Sequence, residues 1–281
     1  MTTLIFGRGF LGTRLARELP GAELSSVDIT DAGAVAKELA ERKPSAVVNA
    51  AGKTGKPNVD WCESHQVETY RANVEGPLVL ADACSKAGVY LLHLASGCIF
   101  YGDSPAPGGW REDDFANPTA FYSRTKYAAD LVLSRLPNVG IARLRMPIDS
   151  EPGSRNLITK LAAYKQIVDV ENSVTIVSDL VKVVAALIDK RGEGIFHVTN
   201  PGAMKHQTLL ALYKELVDPQ HTYELLPEHE LVGRGLAVRA RSNCSLASPR
   251  LAALGIAMRP VETALRATML EYAKHAGVAR A

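Results

Sequence analysis

The six residues Gly7, Arg8, Gly9, Phe10, Leu11 and Gly12 constrain this chain more than any other stretch. They follow a short apolar run ending at Phe6 and open onto Phe10 to Leu19, where apolar residues recur at helical spacing. A strand, a tight turn and a helix are therefore expected in succession. Glycines in such a turn permit a sharp reversal and close approach of the backbone, and the helix start offers N–H groups and partial positive charge to a pyrophosphate. A G-x-G-x-x-G match is weak in isolation. Its place at the first strand-to-helix turn, with Asp28 at about the expected distance downstream, makes it a dinucleotide-binding signature. Asp28 either accepts from an adenosine ribose 2′-hydroxyl, which favours NADH, or touches the adenine together with Ile29, which leaves NADPH open. Arg8 in the turn offers a contact to a 2′-phosphate.

The strand-helix alternation then recurs. "AELSSV" precedes a helix over about 31–42 behind an Asp/Thr start. "SAVVNAAG" precedes helices near 61–70 and 74–86, and a buried apolar strand begins at Val89. A helix over about 119–136 and the strand "VGIARLR", Val139 to Arg145, follow. This order predicts an α/β fold, a doubly wound parallel Rossmann-type sheet with a smaller C-terminal substrate-binding lobe. The expected division gives residues 1–146, with about 178–200, to the dinucleotide-binding sheet, and 147–177 with 201–281 to the lobe. Helices near 155–164, 179–190, 207–217 and 261–275 populate the second half. The segment from Gly102 to Pro118, rich in Gly, Pro and Asp, is long for a connection and reads as a functional loop.

Composition narrows the partners. A formal charge of +2 spread over mixed acids and bases leaves no basic run for nucleic acid or a membrane surface, so the expected partner is a small molecule. Cys62, Cys84, Cys98 and Cys244 show neither zinc-ligand spacing nor a disulfide framework, and no metal is expected. The N-terminus has no basic segment followed by a long apolar one, and no apolar window reaches spanning length, so a cytoplasmic location is expected.

Chemistry gathers at the end of the fourth strand. "LASGCIFYG" puts Ser96 and Cys98 at a carboxyl edge, where open parallel sheets bind ligands. Cys98 is then either a small buried apolar residue or a thiol facing substrate. "YSRTK" places Tyr122 and Lys126 at i and i+4, on one face of a helix, where an ammonium near a phenol lowers the cost of its ionised form. The Ser96 hydroxyl is available to the same substrate oxygen. Arg143 and Arg145 are either substrate contacts or buried ion-pair residues.

The glycine turn, "NAAG" with Ala50, Ala51 and Gly52 after a strand, Ser96 and Tyr-x-x-x-Lys together resemble the extended short-chain dehydrogenase/reductase family. A closer resemblance runs through "NAAGKTGKPNVDWCESHQVETYRANVEGPLVLADAC", "ASGCIF", "FYSRTK", "RLRMPI", "RNLITK", "HVTNPG" and "RSN". It is to the reductase domain of plant rhamnose synthases, nucleotide-4-keto-6-deoxyglucose 3,5-epimerase/4-reductases, and more distantly to dTDP-4-dehydrorhamnose reductase. The resemblance implies Ser96, Tyr122 and Lys126 as a reductase triad working with NADPH or NADH. It implies Cys98 and Lys160 as the epimerising pair, and a UDP- or dTDP-sugar substrate. Thr54, Asn156 and Arg241 are expected substrate contacts, Arg241 as a diphosphate partner by charge. Two departures stand out: the glycine turn is one residue shorter than the family's usual form, and Ser96 stands where relatives carry threonine. A 4-keto-reductase without epimerase activity and a non-catalytic regulatory subunit remain alternatives, and a homodimer stays open.

Overall fold

The computed structural model describes residues 2–277. Six parallel strands form the central sheet: β1 (Thr3–Phe6), β2 (Ala22–Ser25), β3 (Ala46–Asn49), β4 (Tyr90–Ser96), β5 (Val139–Leu144) and β6 (Gly194–Val198). Their order across the sheet is β6-β5-β4-β3-β1-β2, so the winding direction reverses at β1. Residues of β1, β3, β4 and β5 are wholly buried on both faces, as parallel strands covered by helices must be. The doubly wound sheet expected from the alternation is borne out.

Helices cover both faces. α1 (Phe10–Glu18) and α6 (Val177–Lys190) pack Leu15, Leu180, Val184 and Leu187 against Ile5, Val48, Leu92 and Phe196. On the other face α2 (Ala32–Arg42), α3 (Gly76–Ala87) and α4 (Phe121–Leu133) pack Val35, Leu39, Leu80 and Ala129 against Leu4, Val47 and Leu91. Cys84 belongs to this core, and burial pushes its thiol up to about 12. α3 is preceded by short helical turns at Trp61–Ser64 and Gln66–Tyr70 and a wide turn at Arg71–Glu75, so the two separate helices expected there run almost together.

A further apolar cluster is built from α5 (Leu157–Ala162), α7 (His206–Leu216), α8 (Val261–His275) and three two-stranded ribbons; Ile158, Leu161, Leu209, Leu210, Leu265 and Met269 are among its buried members. The ribbons pair Gln166–Val168 with Glu224–Leu226, Glu171–Asn172 with Met204–Lys205, and Pro147–Ile148 with Thr175–Ile176. Each is too short to show a periodicity in sequence.

The segment 102–118, expected as a functional loop, is tethered to the sheet edge. Trp110 stacks on Phe100 at 4.7 Å, donates from Nε1 to the Gly102 carbonyl at 2.9 Å, and bridges to Leu246. With Ile99 and Cys244 these residues form a satellite core, so the segment fastens residues 243–250 to the sheet edge rather than lining the main cavity. Among the described residues no helix is long and apolar enough to cross a membrane.

Candidate active site

The carboxyl ends of β1, β3, β4 and β5 open on one side, and a cavity of about 1350 Å³ lies there. At one end stands the glycine turn, whose three glycines meet different surroundings. A Cβ on Gly12 would sit 1.8 Å from the Gly7 carbonyl oxygen, and one on Gly7, whose φ is +102°, would sit 2.4 Å from the Ala51 nitrogen. Gly7 and Gly12 are thus required by packing. A Cβ on Gly9 would meet no atom within 4 Å. Gly9 is the residue before α1, and no side chain caps that helix, so its first N–H groups face the open space over Gly9. This is a cradle of the kind a pyrophosphate fills.

Phe10, Leu11, Ala50, Ala51 and Gly52 continue the lining. Arg8 and Asp28 are exposed beyond it, and Asp28 accepts from the Thr30 N–H and hydroxyl, which hold its carboxylate below the usual range. Ile29 is different: it is buried in the core, where its side chain packs on Gly76.

Ser96, Cys98, Tyr122, Lys126 and Lys160 all line the same cavity. β4 runs three residues past the partner of Asn49, which lifts Ser96 clear of β3. Ser96 Oγ accepts the Cys98 N–H at 3.1 Å, and Ser96 and Tyr122 face the same cavity. Burial and the neighbouring Cys98 push the phenol up from its ordinary value, with the Ser96 contact opposing. The expected lowering by Lys126 is absent from this arrangement. Lys126 shares the helical face, but its Nζ donates to the Leu94 carbonyl at 3.1 Å and lies 3.2 Å from His93 Nε2. Burial brings Lys126 down to about 8.

His93 is a neighbour the sequence reading missed. Asn49 Oδ1 accepts the Ala51 N–H at 3.0 Å, so Asn49 Nδ2 donates to His93 Nδ1 at 3.0 Å. Burial and Lys126 keep the ring neutral, which leaves its proton on Nε2, against Lys126. A histidine in a buried strand carries no sequence signal beyond that of a satisfied core polar group.

Lys160 lies half-buried on α5, and burial first, then Arg155, lowers its affinity for a proton. Arg155 NH1 donates to Thr54 Oγ1 at 2.8 Å, placing Thr54 and a cation without a carboxylate partner, among the described residues, at the cavity wall. Arg241 also lines the cavity, but its guanidinium forks onto both oxygens of Asp60 at 2.8 and 2.7 Å. Asn156 does not line it. Its Oδ1 accepts from Ile158 N at the start of α5, and its Nδ2 donates to the Asp149 and Glu151 carbonyls, so the fully buried amide organises a turn.

The two arginines of "RLR" separate. Arg143 forms a buried ion pair with Asp130 at 2.8 Å. Arg145 lines the cavity and reaches Cys98.

Comparison with known proteins agrees with this geometry. Residues 1–273 match the family described as the RmlD substrate binding domain. The chain is 40% identical over 259 residues to the bifunctional dTDP-4-dehydrorhamnose 3,5-epimerase/dTDP-4-dehydrorhamnose reductase of Arabidopsis thaliana, covering 88% of this chain and 85% of that protein. It is 37% identical over 228 residues to a trifunctional UDP-glucose 4,6-dehydratase/UDP-4-keto-6-deoxy-D-glucose 3,5-epimerase/UDP-4-keto-L-rhamnose-reductase of the same plant. That match covers 77% of this chain and 34% of the relative, so the chain spans about a third of the longer protein. The crystal structure of the L780 UDP-rhamnose synthase from Acanthamoeba polyphaga mimivirus superposes with a TM-score of 0.90 at 30% identity, over 96% of this chain and 99% of that one. The family match runs through nearly the whole chain, and the bifunctional relative and the mimivirus structure are covered over most of their length; this protein therefore belongs to the RmlD substrate-binding-domain family, of the short-chain dehydrogenase/reductase type.

Proposed function

We propose that the protein converts a nucleotide-linked 4-keto-6-deoxyglucose to the corresponding L-rhamnose, inverting C3 and C5 and reducing C4 with NADPH or NADH. The observation that carries this reading is the gathering of Ser96, Tyr122, Lys126, Cys98 and Lys160 on one cavity whose far end is the open backbone over Gly9. The reductase half has the broader support, because reductases recur among the relatives; the epimerase half rests on Cys98 and Lys160.

When bound, the nicotinamide cofactor supplies the hydride for C4. The glycine turn holds its pyrophosphate through the first N–H groups of α1. Tyr122, kept protonated by burial, donates to the C4 oxygen, and Ser96 shares that oxygen and orients the phenol. The C4 ketone acidifies the C3 and C5 protons. Cys98 and Lys160 remove and return them on opposite sides of the ring, Lys160 helped by a burial that eases loss of its own proton. Arg155 and Thr54 suit the diphosphate, with residues 147–177 and 201–277 enclosing the sugar nucleotide, residues 278–281 of the expected lobe lying outside the described residues; Arg241, already neutralised by Asp60, suits it less.

The test is NMR of UDP-4-keto-6-deoxyglucose with the pure protein in deuterated water, first alone and then with NADPH. Deuterium entering C3 and C5 without cofactor, then a rhamno-configured product with it, is the expected result. Reduction without exchange would leave a ketoreductase alone, and neither reaction would refute the proposal.

A further inference from the structure

Arg145 follows the last residue of β5, and the chain turns immediately after it through Met146, whose φ is +40°. Its side chain is 1% exposed, yet among the described residues no carboxylate lies within ion-pair distance of it. Arg143, two residues earlier, has Asp130. Arg145 instead donates from NH1 to Cys98 Sγ at 2.7 Å and from NH2 to Asn172 Oδ1 and the Ser242 carbonyl, and its Nε has no hydrogen-bond partner. A buried guanidinium without a counter-anion is costly, and the cost falls if an adjacent acidic group ionises.

The groups around the guanidinium narrow which one does so. Cys244 is buried, its thiol is pushed up by that burial, and its sulfur lies 3.7 Å from the Gly97 carbonyl as a donor. The Tyr122 phenol on α4 is pushed up as well. His206 on α7 is held neutral by burial. Cys98 alone among them is both half-buried, on the cavity, and directly hydrogen-bonded by the cation.

We propose that Arg145 is a positioning residue that holds Cys98 as a thiolate aimed into the cavity, so that Cys98 is the base and Lys160 the acid of the epimerisation proposed above. In each inversion the thiolate takes the proton beside the ketone as the C–H bond breaks and its electron pair passes to the enolate. The Lys160 ammonium then returns a proton to the opposite face, and the pair resets by exchange with solvent. This rests on the epimerase reading for its chemistry, while the charge pairing itself stands on geometry.

Alkylation by iodoacetamide reports the thiolate directly. Its rate at Cys98, read by peptide mass spectrometry between pH 5.5 and 9.5 and normalised to the high-pH plateau, is to be compared in wild type, Arg145→Gln and Arg145→Lys. Arg145→Gln is expected to reach half its plateau at least about one pH unit, tenfold in proton concentration, above wild type. Arg145→Lys should restore part of the difference, which a purely structural role would not produce. Coincident profiles for wild type and Arg145→Gln would overturn the proposal. Should Arg145→Gln not fold, the wild-type profile is set against that of the urea-unfolded chain, and coincidence again overturns it. Normal C3 and C5 exchange with an alkylation profile indifferent to Arg145 would refute the pairing and spare the epimerase reading; the expected profile without exchange would do the reverse.

Discussion

Alanine at Gly9 and alanine at Gly12 are the same chemical change three residues apart, and the structure separates their consequences. The new methyl at Gly12 would sit 1.8 Å from the Gly7 carbonyl oxygen, inside the strand-helix joint, so β1 and α1 must part. Overpacking of that kind costs about 1–3 kcal/mol or more, and here the obstacle is backbone that cannot rotate away. At Gly9 the methyl meets nothing within 4 Å, and the backbone (φ −90°, ψ −169°) is one that alanine adopts freely. Exchanging glycine for alanine before a helix costs at most about 1 kcal/mol. The same methyl, however, occupies the space a pyrophosphate needs to reach the α1 N–H groups. Losing one charge-assisted hydrogen bond costs about 1.5–3 kcal/mol, which is tenfold or more in Kd. Urea denaturation with and without NADPH reads both effects. At a concentration of 100 times the wild-type Kd, the cofactor stabilises wild type by about 2.7 kcal/mol and a tenfold weaker Gly9→Ala variant by only about 1.4 kcal/mol. Gly9→Ala with unchanged NADPH affinity, or Gly12→Ala with unchanged stability, would refute this assignment of the turn.

Asp130→Asn leaves Arg143 as an unpaired buried cation and should lower unfolding free energy by about 3–5 kcal/mol; adding Arg143→Met should recover much of it, and a loss below about 1 kcal/mol would contradict the buried pairing. His197 donates from Nδ1 to the Ala247 carbonyl and accepts at Nε2 from Arg143, and burial and Arg143 bring it from 6.5 down to about 3. The folded state therefore binds fewer protons than the unfolded chain between those values: its contribution is intact above about pH 6.5 and is lost as pH falls through the window, at about 1.4 kcal/mol per pH unit. Urea midpoints at pH 5 and 6.5 should show a slope that shrinks in His197→Asn. Tyr122→Phe should fold normally and lose about 10²- to 10⁴-fold in C4 reduction measured by NADPH oxidation; unchanged biological activity in that variant would favour a regulatory subunit. Cys98→Ser should abolish C3 and C5 deuterium exchange while reducing a pre-epimerised ketone, and equal loss of both would end the division of labour.

Much of the site was legible because it lies at strand and helix ends, where sequence carries punctuation. Ser96 closes an apolar run, Tyr122 and Lys126 sit one helical turn apart, and the glycine turn separates two periodicities. Residues whose partners are distant in sequence were harder to read. Arg241 and Asp60 are 181 positions apart, and their pairing already engages the guanidinium expected to meet a diphosphate. Asn156 has the polarity of a substrate ligand, but every group of its amide is taken by nearby backbone. Ile29 follows a recognisable acid, yet its side chain turns into the core against Gly76.

The sequence by itself determined the doubly wound sheet, the glycine turn and which reactive side chains stand at strand and helix ends, since local periodicity and glycine sterics act over a few residues. Only the tertiary structure decided their electrical state. Whether a cation is neutralised, as Arg143 is by Asp130, or left to face a thiol, as Arg145 faces Cys98, depends on which distant segments exclude water from it together, and burial is a property of the packed chain.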